Sequence, residues 1–574
     1  MLDLRTMRGG KGLAGIVLLS FCSALWALEP PEKGQVERYA LDGSLYWRIQ
    51  NARALGNHLA APGLVAGLRA RLERLRPEGR PNGKWTAELA SGLPAGTTNT
   101  LPSKGAVKVL ALLISFSDYP FVNAKGPIAS KLFGDGDGGW PYESLRNFYR
   151  RSSYNQLEIQ GDVLGWHTPA YTRASMPMTT AARQALIKEA LTYYDGQGHD
   201  FSQYDNDGNG KVDYFIVVWT GPNNGWANFW WGYQTTFLDA SFALDGKSFN
   251  GTRYSWQWES RNWPGPYDQS VVIHETGHAL GLPDYYDYDA AVGPKGGLGG
   301  LDMMDASRGD HNAFSKMLLE WITPEVVTYG TRLAALRASG AAPDALLVMP
   351  EFSRAQPFDE FFLVQNRHRV ENDANLPGDG LLLWHVDARL NGGSFRYNNS
   401  TSDHKLLRLM EADGKEQIEA GYSATAADFY VPGKTFGPAA VPNSDRYDGS
   451  TSGVSVAGIS PAGASMTLTA DVHYALYPPQ GFTLRRVLDD FIFFQLYDNQ
   501  LSWELNPKNH TAPAKYLLYR KLKNAGDVYI LLGELPGDAR SFVHGRLKKD
   551  ELFDYRLILV DANGAMSDPA DIGN

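Results

Sequence analysis

Cysteine is nearly absent from this chain: Cys22 is the single one in 574 residues. No disulfide can form within the chain, and no thiol elsewhere can bind a metal or act as a nucleophile. A strong excess of one charge is also missing, because 54 Lys and Arg residues against 63 Asp and Glu residues give a formal net charge of −9. This balance argues against nucleic acid or an anionic membrane as a partner.

Long apolar runs are missing too, apart from one near the start. "LAGIVLLSFCSALWA" follows basic residues and precedes the charged, proline-containing "LEPPEKG". The pattern predicts a secretory signal peptide over residues 1–27, cleaved near Ala27. The alternative is an uncleaved anchor, for which the run is short, and the bulky Phe21 before Cys22 disfavours a lipid anchor. We therefore expect a secreted, extracellular protein without a stable membrane anchor.

Residues 28–104 do not have the pattern of a packed domain. The stretch "GLVAGLRARLERLRPEG" predicts an amphipathic basic helix, and its apolar face carries Leu64, Leu68, Leu72 and Leu75. The polar stretch "SGLPAGTTNTLPSKG" follows and is typical of a linker. We expect residues 28–104 to be a propeptide and linker that precede the main folded part of the chain.

Strands and helices alternate over residues 105–328. "VKVLALLISF" and "VDYFIVVWTG" are continuous aliphatic and β-branched runs, which are typical of buried strands. "YESLRNFYRRSS" and "TTAARQALIKEALTYY" have the pattern of helices, and we expect Pro324 to end the last helix, "FSKMLLEWITP". The alternation predicts an α/β core for this domain.

The second half of the chain changes to short strands separated by Gly, Asn and Asp. "FFLVQNR", "GLLLWHVD" and "SMTLTADV" predict an all-β domain over 329–477, in which His385 is expected to be a hydrogen-bonded core histidine. A proline pair opens a last unit over 478–574, with strands spaced as in a seven-strand sandwich and with Trp503 and Tyr555 in its core. The predicted fold class is a multidomain α+β protein.

The segment "HETGHALGLPD" combines residue types that bind a metal. Residues four apart lie on one face of a helix, so His274 and His278 can offer imidazole nitrogens to one ion at about 2.0–2.1 Å. Glu275 then lies beside the ion, where it can take a proton from the attacking water and pass it to a leaving amine. Gly281 lets the chain leave the helix, and the turn brings Asp284 to the ion as a third ligand.

The alternative is an ordinary helix with two solvated histidines. In a chain of this length a chance H-E-x-x-H has a probability on the order of one in a hundred, and the glycine and aspartate at the next spacings lower it by roughly another hundredfold. Other oxygen donors follow Asp284, and a gluzincin would take a distant downstream glutamate instead. We predict a zinc site of His274, His278 and Asp284, with Glu275 as its catalytic base.

The chain resembles a known group of proteins in this segment and beyond it. "HETGHALGLPD" is similar to the extended zinc motif of the metzincin clan, in the version with aspartate as third ligand. "ESLRNFYRRSSYNQLEIQGDVLGW", "DFSQYDNDGNGKVDYFIVV", "FSKMLLEW" and "LPGDGLLLWHVD" look like blocks of the immune inhibitor A family of secreted bacterial metallopeptidases, in family order from about Val107 to Val472. The resemblance implies a metzincin-like zinc protease domain over 105–328, followed by β-sandwich domains. It also implies a methionine-bearing turn below the metal, which Met304 matches better than Met303.

A second ion is predicted at "DNDGNGKVD". Oxygen donors stand there at alternate positions, and a lysine carbonyl can add to them. The predicted calcium ligands are Asp205, Asp207, Asn209, Lys211 and Asp213. The bidentate glutamate of a full EF-hand is missing, because Ile216 stands at the twelfth place. A plain Asx-rich turn is the alternative, and a calcium ion would act as a structural clip in a protein without disulfides.

Together these features predict a secreted zinc endopeptidase that is made as a zymogen. Its substrates are proteins or peptides, and its ions are Zn²⁺ and Ca²⁺. The alternative is a surface or matrix binding protein in which the β domains act and the protease lobe is a scaffold, but an intact Glu275 argues against it. The last unit, over 478–574, resembles a fibronectin type III domain.

Latency of such an enzyme is expected to come from residues 28–104, without a cysteine. The segment offers carboxylates and a basic helix, with Glu73, Glu78, Glu88, Arg69, Arg71, Arg74 and Arg76. The chain beyond the zinc motif is acidic, with Asp287, Asp289, Asp302, Asp305 and Asp310. We expect the basic helix to dock on this acidic rim and cover the cleft. The alternative is a folding aid that never shields the site.

Overall fold

The computed structural model of the chain describes residues 33–74, 82–84, 100–139, 141–328, 330–348, 360–473, 476–491 and 494–573, the last range with gaps at 508, 510–511, 524–527, 563 and 565. The predicted signal peptide lies outside the described residues, as do Arg76, Glu78 and Glu88. Within the described ranges, no helix has both the length and the apolar character that crossing a bilayer requires.

Nine α-helices lie within the described ranges. They are α1 (Lys33–Leu41), α2 (Leu45–Leu55), α3 (Pro62–Arg74), α4 (Lys125–Phe133), α5 (Leu145–Ser152), α6 (Thr180–Asp195), α7 (Ser270–Ala279), α8 (Met303–Ala306) and α9 (Ala313–Leu318). Side-chain oxygens explain several helix starts, because Ser144, Thr179 and Asn312 each accept a hydrogen bond from a main-chain N–H of the first turn. The helices predicted from "GLVAGLRARLERLRPEG", "YESLRNFYRRSS" and "TTAARQALIKEALTYY" correspond to α3, α5 and α6.

The helix predicted from "FSKMLLEWITP" ends earlier than expected. Helix α9 stops at Leu318, and Glu320 then adopts a positive φ of 63°. Pro324 therefore lies beyond the helix, and the expectation that it ends the helix is wrong. The last carbonyl groups of α9 are satisfied from outside, since Arg71 of α3 donates to the carbonyl oxygens of Met317 and Leu318 at 2.8 and 3.4 Å.

The central sheet of the first half carries the predicted buried strands. The strands of this half are β1 (Asn82–Lys84), β2 (Gly105–Ile114), β3 (Leu157–His167), β4 (Tyr214–Trp219), β5 (Tyr233–Thr236), β6 (Ala243–Leu244), β7 (Lys247–Ser248), β8 (Arg253–Trp258) and β9 (Glu325–Val327). The central sheet has the order β3-β2-β4-β8-β5, and its strands are parallel except for the antiparallel edge strand β5. Strands and helices alternate along the chain here, as predicted.

Helices cover both faces of the central sheet. On one face, Leu186 of α6 packs with Leu110 of β2 and Phe215 of β4. On the other face, Ile273 of α7 packs with Ile216 of β4. The zinc motif is thus carried by a helix that lies directly on the sheet.

Residues 330–473 contribute to two larger sheets and to one two-stranded sheet. The strands of this region are β10 (Gly330–Arg337), β11 (Leu346–Val348), β12 (Glu360–Arg367), β13 (Gly380–Asp387), β14 (Leu390–Asn391), β15 (Ser394–Phe395), β16 (Leu407–Leu409), β17 (Val454–Ala457) and β18 (Ser465–Val472). One sheet has the order β1-β9-β11-β12-β13-β16, and the other has the order β10-β18-β17. The six-stranded sheet draws two of its strands from before residue 329, and Leu363 and Trp384 on one of its faces share a hydrophobic core with Ile273 of α7.

The last unit consists of seven strands in two sheets. The strands are β19 (Gln480–Phe491), β20 (Phe494–Glu504), β21 (Lys515–Leu522), β22 (Ile530–Pro536), β23 (Ser541–Leu547), β24 (Phe553–Val560) and β25 (Ala570–Gly573). The sheets have the orders β19-β20-β23 and β22-β21-β24-β25. Trp503 and Tyr555 are buried in the core between them, as predicted.

Candidate metal centre

Helix α7 brings the predicted zinc motif into the interior of the molecule. The three apolar residues before the motif, 271–273, are fully buried. They seat the helix so that His274 and His278, one turn apart, project from the same face. The chain leaves the helix at Gly281, whose φ of +104° is a conformation that other residues rarely adopt.

The loop after Gly281 returns Asp284 to the two histidines. Nε2 of His274 lies 2.9 Å from Oδ1 of Asp284, and Nε2 of His278 lies 3.3 Å from the same oxygen. One donor atom of each residue lies within 4.8 Å of the other two. Ligands at about 2.0–2.2 Å from a tetrahedral zinc ion are about 3.3–3.6 Å apart, so this donor set fits zinc after small adjustments.

Hydrogen bonds on the far side of each imidazole fix which nitrogen faces the centre. Nδ1 of His274 donates to the carbonyl oxygen of Met303 at 2.8 Å. Nδ1 of His278 donates to the carbonyl oxygen of Leu282, also at 2.8 Å. Each Nε2 therefore faces the centre, where it can bind a metal ion once it is deprotonated.

Tyr288 supports the third ligand, and the sequence did not single it out. Its hydroxyl donates to Oδ2 of Asp284 at 2.5 Å. Burial would raise the pKa of Asp284, but His278 and His274 hold it well below its ordinary value. Burial also opposes charge on His274, yet Asp284 raises the pKa of that imidazole to about 9. The carboxylate is thus ionised, which is the state that metal binding requires.

Met304 lies directly below the zinc motif, where the sequence placed it. Its sulfur packs against Gly277, and a Cβ added to that glycine would lie 2.3 Å from the sulfur atom. Met303 is buried as well, but its contribution is the carbonyl oxygen that accepts from His274. The glycine inside the motif is therefore required for this methionine contact.

Glu275 is buried beside the ligand group with its carboxylate free. Neither of its carboxylate oxygens has a hydrogen-bond partner among the described residues. Burial raises the pKa of Glu275 to about 7, against the lowering effect of His274 and His278. A carboxyl group with such a pKa can accept a proton and release it again near neutral pH, as a general base and acid must.

The whole centre is closed to solvent. The exposed fractions are 0% for His274 and Glu275, 1% for His278 and 2% for Asp284. A peptide cannot reach side chains that are buried to this degree. Access to the centre from solvent therefore requires part of the chain to move.

The loop between α2 and α3 is part of the cover. The main-chain N–H of Asp284 donates to the carbonyl oxygen of Asn57 at 2.8 Å, and the N–H of Ala61 donates to that of Gly281 at 2.9 Å. The ring of His58 lies 5.7 Å from that of Tyr288, measured between centroids. The segment thus contacts the metal-binding loop on the side of the third ligand.

Helix α2 adds polar and apolar contacts next to this loop. Arg48 donates to the carbonyl oxygen of Trp226, and Asn51 donates to that of Ala227 at 3.2 Å. Ile49 and Ala52 of the helix pack with an aromatic cluster that contains Trp226, Tyr286 and Tyr288. The N-terminal segment therefore binds the rest of the chain through apolar packing as well as through charged and polar side chains.

The acidic rim predicted beyond the zinc motif is wrong for three of its five residues. Asp302, Asp305 and Asp310 are exposed by only 0%, 4% and 1%. Asp302 and Asp305 accept hydrogen bonds from main-chain N–H groups, and Asp310 pairs with the buried Lys316 at 2.6 Å. These carboxylates organise the interior, and Asp289 is the rim residue that meets the N-terminal segment, 3.2 Å from Arg53.

The predicted basic helix, α3, docks on a different surface. Arg71 is 3% exposed, because its guanidinium binds the end of α9 and lies 3.7 Å from Glu320. The side chains of Glu73 and Arg74 lie outside the described residues. The expectation that this helix covers the acidic rim is therefore wrong, and α2 with the following loop takes that place.

The loop predicted to bind calcium brings three carboxylates together. One oxygen each of Asp205, Asp207 and Asp213 lies within 4.8 Å of the others. Asn209 belongs to the same loop and accepts from the main-chain N–H of Lys211 at 2.9 Å. Burial, with the charges of Asp207 and Asp205, raises the pKa of Asp213 to about 7.

A lysine that the sequence did not indicate reaches the same loop. Nζ of Lys247 lies 2.7 Å from Oδ2 of Asp205. A calcium ion would therefore share this carboxylate with an ammonium group or displace it. Ile216 is buried in β4 and takes no part in the loop.

Two features of the second half lie apart from the zinc motif. His385 is 2% exposed and hydrogen bonds to Glu360 at 2.9 Å, as predicted for a core histidine, and it also lines a cavity of about 380 Å³. Glu411, Asp413 and Asp428 form a third carboxylate group. No sequence pattern indicates this group, because Asp428 comes from a different turn from Glu411 and Asp413. Lys415 pairs with Asp413 at 2.8 Å.

Curated proteins are similar to about a third of the chain. None of the known protein-family models matches the chain. Immune inhibitor A of Bacillus thuringiensis subsp. alesti is 25% identical over 230 residues, which cover 32% of this chain and 34% of that protein. The pre-pro-metalloprotease PrtV of Vibrio cholerae serotype O1 (strain M66-2) is 28% identical over 229 residues, which cover 31% of this chain and 25% of that protein. The chain thus matches about a third or less of the length of these relatives, and the similarity supports a metallopeptidase-like relationship.

Solved structures are similar to a small part of the chain. A fibronectin type III domain of human collagen XX is 18% identical, with 18% of this chain and 99% of that domain covered and a TM-score of 0.14. A redesigned β-sandwich protein is 14% identical, with 17% of this chain and 88% of that protein covered, also with a TM-score of 0.14. Scores this low carry no argument, so the fibronectin type III likeness of the last unit stays a prediction.

Proposed function

We propose that this protein is a secreted zinc-dependent endopeptidase that hydrolyses peptide bonds of protein substrates and is made in a latent form. The observation that carries the proposal is the pairing of a three-residue ligand group with a buried, unpartnered carboxylate on the same helix. A purely structural metal site is closed by four protein ligands. Here three protein ligands leave the fourth coordination position of the ion for a reactant, and Glu275 lies beside that position.

His274, His278 and Asp284 would hold the zinc ion in this proposal. A zinc ion bound there supplies a Lewis acid that polarises the substrate carbonyl and acidifies the attacking water. Glu275 accepts the proton of that water and delivers it to the leaving nitrogen of the peptide bond. Burial raises the pKa of Glu275 above its ordinary value, which favours proton uptake by its carboxylate.

The N-terminal segment supports latency in this proposal through its position. It covers the centre from the side of Asp284, and its Arg48 donates to the carbonyl oxygen of Trp226. The stretch 91–105, which leads from this segment into the first strand of the central sheet, has the polar linker composition noted above. After cleavage in such a linker the N-terminal segment would no longer be covalently joined to the rest of the chain and could dissociate from it.

We expect the zinc-loaded full chain to cleave casein poorly until it is cut within residues 91–105. After the cut the cover can leave, and cleavage should rise and then stop when a chelator is added. Arg48→Ala should raise casein cleavage by the uncut chain, because it removes the hydrogen bond that joins α2 to the carbonyl oxygen of Trp226. Arg38→Ala is the matched control, since Arg38 is an exposed arginine of α1.

The two parts of this proposal fail in different ways. Full casein cleavage by the uncut chain would contradict latency and leave the endopeptidase in place. A cut, zinc-loaded chain that cleaves neither casein nor short peptides would contradict the endopeptidase. That second result would favour a binding protein that acts through its β domains.

We also propose that the loop of Asp205, Asp207 and Asp213 binds calcium, with Asn209 and the carbonyl group of Lys211 as further ligands. Three carboxylates within 4.8 Å of one another repel each other, and a hard divalent cation relieves that repulsion. The loop leads into β4, so an ion there would hold this strand of the central sheet in place.

The melting temperature at a calcium concentration about a hundredfold above the Kd should be about 5–10 °C higher than the melting temperature without calcium. Asp207→Ala should abolish this dependence, while zinc content stays unchanged. The exposed Asp403 lies far along the chain, and Asp403→Ala serves as the control that keeps the dependence. If Asp207→Ala melts with the calcium dependence of the original chain, the loop is an ordinary turn.

A further inference from the structure

The loop that carries the third metal ligand, residues 281–288, lies between two parts of the chain. We call it the ligand loop. On one side it contacts the main body of the protein, where the main-chain N–H of Tyr285 donates to the carbonyl oxygen of Met304 at 2.9 Å. On the other side it contacts residues 33–74, which we call the N-terminal segment.

The N-terminal segment holds the main chain of the ligand loop at two points. The N–H of Ala61 donates to the carbonyl oxygen of Gly281 at 2.9 Å, and the N–H of Asp284 donates to the carbonyl oxygen of Asn57 at 2.8 Å. A Cβ added to Gly281 would lie 2.9 Å from the Cβ of Ala61, which is closer than two such carbons can pack. The glycine thus allows the two backbones to approach, and the third ligand has its main-chain partner in the segment.

The side chain of Asp284 depends on the same segment through Tyr288. The hydroxyl of Tyr288 donates to Oδ2 of Asp284 at 2.5 Å. The ring of Tyr288 is 5% exposed and lies 5.7 Å from the ring of His58, measured between centroids. Ile49 of α2 belongs to the same apolar cluster as Tyr288. Without the segment this ring loses packing on one side, and its hydroxyl is no longer held toward Asp284.

A ligand that is already held in place loses less conformational entropy when a metal ion binds it. The segment fixes both the main chain and the side chain of Asp284, whereas His274 and His278 are fixed by the helix that carries them. Zinc in turn fixes Asp284 and with it the surface that the segment contacts. Two ligands that order the same loop strengthen each other's binding by the same factor.

We propose that the N-terminal segment and zinc bind the main body of the protein cooperatively, because the segment holds the ligand loop in its metal-binding position. This inference deepens the proposed function and rests on its zinc site. The interaction surface consists of the ligand loop and the aromatic side chains of Trp226, Tyr286 and Tyr288, and its partner is the segment itself. After the linker is cut, the segment remains a reversible ligand that leaves more readily when zinc is removed.

The first test measures how tightly the cut segment binds. The full chain carries Glu275→Gln, so that proteolysis does not consume the segment, and is then cut within residues 91–105. The Kd of the segment is measured by size-exclusion chromatography over a dilution series, with zinc and with a zinc-selective chelator at constant calcium. The Kd should be about fivefold to a hundredfold lower with zinc. Equal values of the Kd would overturn the inference.

The second test changes the segment in the uncut chain. His58→Ala removes the ring that packs against Tyr288, and Leu59→Ala is the matched control, because Leu59 is 45% exposed in the same loop. The Kd for zinc, measured by competition with a chromophoric chelator, should rise about fivefold in His58→Ala and stay within about twofold in Leu59→Ala. His58→Phe keeps an aromatic ring there and should retain the zinc affinity of the original chain.

Two results of the second test would overturn the inference. One is a His58→Ala chain with the zinc affinity of the original chain. The other is an equal loss of affinity in His58→Ala and His58→Phe, because the ring nitrogens of His58 would then matter and its packing would not. All of these readouts are binding constants, so a chain that binds zinc without this coupling overturns the inference alone, while a chain that binds no zinc contradicts the proposed function.

Discussion

Glu275→Gln is expected to keep zinc bound at the level of the original chain while peptide hydrolysis falls by about a hundredfold to ten-thousandfold. The amide has the shape of the carboxylate but cannot accept the proton of the attacking water. The side chain is fully buried and its oxygens have no partner among the described residues, so the change breaks no hydrogen bond seen there. The melting temperature should therefore not fall.

The measurements are zinc content, thermal unfolding and peptide hydrolysis on the same cut preparation. Glu320→Gln is a suitable control, because Glu320 is a partly buried carboxylate that pairs with Lys104 and Arg71 away from the centre. Substantial hydrolysis by the Glu275→Gln chain would remove Glu275 from its role as base.

Asp284→Ala is expected to lose zinc and, with it, all zinc-dependent hydrolysis. Asp284 has one oxygen within 2.9 and 3.3 Å of the two histidine Nε2 atoms, and its other oxygen accepts from Tyr288. Without it, two neutral imidazoles face the ion, and a two-histidine site binds zinc weakly. The hydroxyl of Tyr288 also loses its partner, so a lower melting temperature should accompany the loss.

Asp289→Asn is the matched control for this change. Asp289 lies in the same acidic stretch of sequence, but its carboxylate pairs with Arg53 and does not face the histidines. The control should keep zinc at the level of the original chain. Full zinc in the Asp284→Ala chain would show that another residue is the third ligand.

The grouping of the three candidate zinc ligands was predictable because its geometry is local. Two histidines four apart on one helix, a glycine that turns the chain and an aspartate soon after it are placed by backbone geometry alone. The structure brings His274, His278 and Asp284 together and puts Met304 under the helix. The apolar strands β2 and β4 were predictable for a similar reason, since continuous aliphatic and β-branched runs are typical of strands that are covered on both faces.

The docking of the N-terminal segment was not predictable, because charge along the sequence does not show which side chains are exposed. Asp302, Asp305 and Asp310 look like an acidic surface in sequence, yet each binds a main-chain N–H group or a buried lysine. Arg71 looks like a surface charge and is instead buried on the end of α9. Hydrogen bonds within one buried stretch decided the case of the aspartates, and a contact between segments far apart in the chain decided the case of Arg71.

The supporting residues around the centre were also hidden in the sequence. Tyr288 is one of several tyrosines after the motif, and only the folded loop shows that its hydroxyl meets Asp284.

The central claim is that His274, His278 and Asp284 hold a catalytic zinc ion, and anomalous X-ray scattering at the zinc absorption edge tests it most directly. Crystals of the zinc-loaded chain should show one strong anomalous peak at about 2.0–2.2 Å from Nε2 of His274, Nε2 of His278 and a carboxylate oxygen of Asp284, with Glu275 beside it and not bound to it. Such a crystal with no peak at this place, or with a peak that a different carboxylate completes, would contradict the account.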